Sequence, residues 1–222
     1  MKDEGSDSGS TNGNYPAPPR WKGVRALDLI HRLNERGLEL CSQALTETLE
    51  HDLPELLTLH RDLWLTLDIE ARGRTARVPF VMVDVRLDDV IWWRNALSMA
   101  SSIDGWPSGG RLPARIAQEL MHETLMFAWH AVQADAKLAR SILGVSDDVS
   151  VLIAGLTMRD VREIATRHGN VVRLRWPHLS SLWGKLLAAG KNGDRDALNE
   201  AHLHFKLLHC GEIRSQNRNN AS

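Results

Sequence analysis

Cysteine is almost missing from this chain. Cys41 and Cys210 are the only two in 222 residues and lie far apart, which excludes a disulfide scaffold and a cysteine-rich zinc site. A reducing compartment follows as the expectation. Tyrosine and phenylalanine are scarce too, one and three against eight tryptophans, and alternating β-branched runs are few, so a sheet protein is not predicted. Charge of one sign is not in excess. The net charge of −1 gives no overall attraction to nucleic acid, and any such contact has to come from a local patch. No window approaches the roughly 18 uninterrupted apolar residues of a membrane helix. The opening residues MKDEGSDSGSTNGNYPAPPR lack the apolar core of a secretory signal, so the chain reads as cytoplasmic, with no membrane partner. Also missing are a phosphate-binding Gly-rich loop before Lys-Ser or Lys-Thr, a Gly-x-Ser-x-Gly elbow and a His-Glu-x-x-His pair. No enzyme class is supported, and no cofactor is predicted.

What is present is mostly helical patterning. Residues 1–20 are rich in Gly, Ser, Asn, Pro and charge and predict a disordered tail. From Trp21 to about Asp68, Val24, Leu27, Ile30, Leu33 and Leu38 form one stripe, and a leucine-rich stretch punctuated by Pro54 follows. Arg-Gly-Arg and Val-Pro ahead of Val81, Val83 and Val85 suggest a short β-hairpin or extended loop near 74–86. Leu87 to Ala100 returns to helix. There Trp92 and Trp93 are adjacent, so one of them is expected to turn away from the core. The stretch SSIDGWPSGGRLP is the best linker, which places a boundary near Pro107 between an N-terminal helical domain, 21–107, and a second, 112–210, with a frayed tail at 211–222. No internal repeat stands out. Ala114 to Arg140 reads as one long helix, apolar on more than one side, which predicts burial by a second chain or by the other domain. The fold class is therefore mainly α, a helical bundle whose C-terminal part contains a helix-turn-helix.

That helix-turn-helix occupies RSILGVSDDVSVLIAGLTMRDVREIATRH, from Arg140 to His168. Gly144 follows Leu143 where a helix end favours positive φ, and Ser146 caps a second helix that carries Asp147 and Asp148 in its first turn. Gly155 ends that helix. Thr157 opens a third, with Asp160 in the reciprocal capping position and Met158, Val161, Ile164 and Ala165 as its apolar stripe. Arg159, Arg162 and Arg167 fall on the opposite face, and NVVRLRWPHL adds Arg173 and Arg175. In a DNA-binding helix-turn-helix the last helix enters the major groove, where guanidinium groups bond phosphates or guanine edges, so these five arginines are the candidate DNA-binding residues. Asp160 and Glu163 dilute the face, and short helices joined by Gly and Ser-Asp turns also serve plain packing.

The stretch from about Glu119 to Leu187 resembles FlhD, one half of the bacterial flagellar master activator. The resemblance rests on AWHAVQADAKLARSILGVSDD, VSVLIAGLTMRDVREIA and VVRLRW: the Leu143-Gly144-Val145 turn followed by two acids, the Leu156-Thr157 step and the Ile164-Ala165 pair. It implies an all-α, dimeric regulator that binds promoter DNA together with a partner, FlhC, whose zinc site is built from cysteines. Two departures accompany it. The N-terminal half has no assigned counterpart in that family, and the cysteines of an FlhC are not in this chain. The expectation is a DNA-binding transcriptional regulator, an activator subunit forming a homodimer and working with an FlhC-like partner.

The alternative is a non-enzymatic interaction or structural module in which the same helices merely pack, with Trp92, Trp93, Trp106 and Trp129 as a protein-binding surface. Convergence of the arginines on one exposed face favours the first reading; scatter, or pairing with Asp160 and Glu163, favours the second. No metal site is predicted. His202, His204, His209 and Cys210 form the densest cluster, but His202 and His204 fall on different helix faces, and His209 and Cys210 are chain neighbours.

Overall fold

The computed structural model describes residues 23–98 and 110–219; the expected tail at 1–20, the Pro107 boundary and Trp106 lie outside them. Among the described residues the chain forms α1 (Gly23–Glu47), α2 (Glu55–Leu59), α3 (Arg61–Leu65), α4 (Ile69–Thr75), β1 (Val83–Asp84), α5 (Val90–Leu97), α6 (Ala114–Ala134), α7 (Ala136–Leu143), α8 (Asp147–Ala154), α9 (Met158–His168), β2 (Arg173–Leu174), α10 (Ser180–Asn192) and α11 (Arg195–Asn219). The fold is mainly α. Its one sheet is a two-stranded antiparallel pair in which Val83 faces Leu174 and Asp84 faces Arg173. The strand falls inside the stretch where extended structure was expected, but its partner comes from the far half of the chain.

Local chemistry sets most helix ends. Asp135 takes an extended conformation and accepts hydrogen bonds from the amides of Lys137 and Leu138, so the single helix expected over Ala114–Arg140 is broken into α6 and α7. A carboxylate at an N-cap satisfies amides that a continuing helix would bond internally, and here the cap prevails. Gly144 ends α7 with φ of 64°, Ser146 caps α8 through the Val149 amide, and Thr157 and Asp160 form a complete capping box on α9. The C-terminus departs from the expected fraying. Helix α11 runs on to Asn219, and Glu212 and Gln216 on it are bonded to Arg175, Trp176 and the Gly144 carbonyl.

The two halves of the chain interlock. Helix α5 of the first half packs on α8 and α9 of the second, while α10 of the second packs on α2, α3 and α4 of the first. Helices α1 and α6 meet each other, as do β1 and β2. Side chains from both halves form one contiguous core, so the two segments expected as separate domains share their apolar interior. Trp92 and Trp93 are both buried, against the expectation that one would face out, because the helix carrying them is enclosed on two sides by the second half. Full burial of a large apolar side chain contributes about 1.5 to 3 kcal/mol, enough to favour the arrangement that hides both. The broad apolar surface of α6 is likewise covered within the chain, by α1, α7, α8 and α9.

Candidate nucleic-acid interface

Helix α9 is held by its buried side, where Val161, Ile164, Ala165 and His168 enter the core. Met158, in the first turn and expected on that stripe, is half exposed at 48%. The Thr157 amide donates to Asp160 Oδ2 at 2.8 Å and the Asp160 amide donates to Thr157 Oγ1 at 3.2 Å. The Thr157 hydroxyl, which donates to Asp160 Oδ2 at 2.7 Å, and then the Thr157 amide hold the Asp160 carboxyl below its ordinary value, with Arg159 adding a smaller effect of the same sign.

The five candidate arginines divide into two groups. Arg159, Arg162 and Arg167 are exposed on α9, on the side away from the core. Arg167 is ion-paired with Glu163 one turn earlier, which removes part of its charge from any partner. Arg173 and Arg175 are not on this face. Arg173 lies on β2 and its Nε and Nη2 reach Asp84 Oδ2 across the sheet at 3.1 and 3.0 Å. Arg175 is buried at 6% exposure, where its Nη1 bonds Glu212 at 3.0 Å and its Nη2 bonds the Leu143 carbonyl. Such a guanidinium fastens the end of α7 to α11; it is a structural tie, and reaching a phosphate would require undoing both bonds.

Sequence reasoning missed a polar cavity of about 120 Å³ beside the sheet, lined by Asp84, Asp88, Arg173, Trp176, His178 and Gln216 among others. Burial, and secondarily the Asp84 carboxylate, raise the Asp88 carboxyl above its ordinary value. The only sequence signal for it was the charge of RLRW itself, since the other walls arrive from distant segments. Of the tryptophans expected to form a surface, those among the described residues do not: Trp92 and Trp93 are core residues, and Trp129 is half buried with its indole donating to the Leu156 carbonyl at 2.9 Å. Of the histidine cluster, His209 is buried, stacked on Phe80 and bonded to the Ser141 carbonyl at 2.7 Å, whereas His204 faces solvent. No group of three metal-ligating side chains forms among the described residues, and no helix among them is long and apolar enough to cross a membrane. Compared with known proteins, the chain stands apart: no protein-family model, curated protein or solved structure matches it.

Proposed function

We propose that this chain is a non-enzymatic regulator that contacts DNA through the exposed face of α9 as one component of a larger complex. The observation that carries the reading is the pair Arg159 and Arg162, both exposed on a helix that has a complete N-terminal capping box and whose other side is anchored in the core. Rigid support of this kind presents guanidinium groups to a groove without a backbone ordering cost. Two exposed arginines on a chain of net charge −1 supply too little electrostatic attraction for tight autonomous binding, so a partner that adds cationic surface, of the FlhC kind the resemblance implies, belongs to the proposal. A homodimer, by contrast, loses its motive, because the apolar surface of α6 that suggested one is covered from within the chain.

The test is promoter binding by the Arg159→Ala/Arg162→Ala variant, measured with and without proteins co-purified from the native cell. If the pair reads bases, each loss costs about 1 to 3 kcal/mol and relaxes sequence preference; if it neutralises phosphates, the salt slope falls by about one per residue. Undiminished binding by the double variant at physiological salt removes α9 from the interface. The second reading, a protein-interaction module, has its own support in the pairing of Arg167 with Glu163 and of Arg173 with Asp84. It takes over on that outcome.

A further inference from the structure

The two halves correspond at one constant offset along the chain. Ile30 and Leu120 are core residues at equivalent places in α1 and α6, as are Leu38 and Ala128, and Cys41 and Ala131. The buried polar residues Asn34 and Thr124 keep the same offset. So do Val81 and Val171, just before the strands, and Trp93 and Trp183, both fully buried after them. Two non-glycine residues have positive φ among the described residues, Arg86 at 58° and Trp176 at 49°, and they too are equivalent. Each equivalent indole donates to a backbone carbonyl of the turn ahead of it, Trp93 to Arg86 and Trp183 to Arg175. The packing is reciprocal: α5 on α8 and α9 matches α10 on α3 and α4, and the two self-matching contacts, α1 with α6 and β1 with β2, are those a two-fold axis would cross.

Against this correspondence, α4 and α9 differ in the feature the proposed function uses. The place of Arg159 is taken in α4 by Ile69, and the place of Arg162 by Arg72, which is half buried and donates to the Leu67 carbonyl at 2.8 Å. Arg77, equivalent to Arg167, is the exposed cation that remains. Helix α4 is also overlaid by the C-terminal elements: Arg74 donates to the Gly190 carbonyl at 2.9 Å, and His202 bonds the Thr75 carbonyl at 3.2 Å.

We infer that the chain is two tandem copies of one helical unit packed as an intramolecular dimer, in which only the second copy keeps a DNA-facing helix, so that it engages an asymmetric site instead of a palindrome. The inference rests on the DNA reading above. A two-fold homodimer presents its recognition helix twice and selects sites that mirror its symmetry; a fused pair with one such helix has no second half-site to occupy. The experiment is selection of the full-length chain, together with the proteins co-purified with it from the native cell, on a randomised duplex DNA pool at about 50 mM salt, where phosphate contacts are strongest. It is combined with sedimentation of the free protein and of its complex with the enriched duplex. The expected result is a monomer, one chain per duplex, an enriched motif without dyad symmetry, and at least tenfold weaker binding by Arg159→Ala/Arg162→Ala. A palindromic motif bound by two chains overturns the inference while leaving the DNA reading standing; no enrichment of any sequence overturns both.

Discussion

Gly144 is the residue at which backbone and side-chain constraints meet most sharply. Its φ of 64° suits glycine, and a Cβ added there would lie 3.1 and 3.2 Å from the Arg175 guanidinium nitrogens and 3.3 Å from the His209 ring. Gly144→Val is therefore expected to lose about 1 to 3 kcal/mol through backbone strain, with crowding adding to it, read as a drop in denaturation midpoint; an unchanged midpoint contradicts the left-handed turn. The same cluster sets a pH dependence. Burial first, and then the positive charge of Arg175, push the His209 imidazole down to about 4. Its neutral form suits the site, with Nε2 donating to the Ser141 carbonyl and Nδ1 facing an Arg175 N–H at 3.4 Å. Because the folded value lies below the unfolded value of about 6.5, the unfolded chain takes up its proton first as pH falls. This contribution is intact above pH 6.5 and is lost progressively between pH 6.5 and 4, by up to about 3 kcal/mol. Urea unfolding at both ends of that window should show the loss in the parent and a smaller one in His209→Gln. Equal losses contradict the assignment.

At the scale of elements, equivalent positions in the long helices test how much each polar group contributes. In α1, Asn34 donates to the Ala76 and Phe80 carbonyls and accepts from the Met82 amide, tying the helix to the approach to β1. The Thr124 hydroxyl in α6 is buried with no hydrogen-bond partner. Removing a satisfied buried group leaves its partners unpaired, whereas removing an unsatisfied one relieves a desolvation cost of about 1 to 3 kcal/mol. Asn34→Ala should accordingly lower the melting temperature strongly, and Thr124→Val, nearly equal in volume, should leave it unchanged or raise it. A large loss in Thr124→Val would show that its hydroxyl has a partner. For the helix that presents the candidate interface, Arg159→Ala and Arg162→Ala should leave the unfolding free energy, read by urea denaturation, within about 0.5 kcal/mol of the parent, as exposed positions remote from the core do.

The whole molecule has one core drawn from both halves, and its unfolding follows from that. Loss of α5 from its seat between α8 and α9 exposes the second half, and loss of α10 exposes the first, so neither half keeps its apolar surface covered alone. Calorimetry should show a single transition whose calorimetric and van't Hoff enthalpies agree. Two separate transitions would mean that the halves are independent domains after all. Trp93→Ala, placed in the first half but enclosed by the second, should lower that single transition for the whole chain, at a cost of about 3 to 5 kcal/mol.

The sequence by itself determined the helical class, the C-terminal end of α7, both ends of α8, the start of α9, and the exposed pair Arg159 and Arg162. Each depends on neighbours within one or two turns: a left-handed glycine, a capping hydroxyl, a period of 3.6. Where a local signal was outweighed, as by the Asp135 cap inside a continuous apolar pattern, the boundary shifted but the helices remained. Tertiary structure alone decided the rest. Whether Arg175 faces DNA or an internal carbonyl depends on where α11 lies, and whether Trp92 is a surface or a core residue depends on the second half closing over α5. The repeat itself was hidden because packing constrains size and burial more than identity. Cys41 and Ala131, or Asn34 and Thr124, share an environment without sharing chemistry, and only the reciprocal contacts of the folded chain reveal them as equivalents.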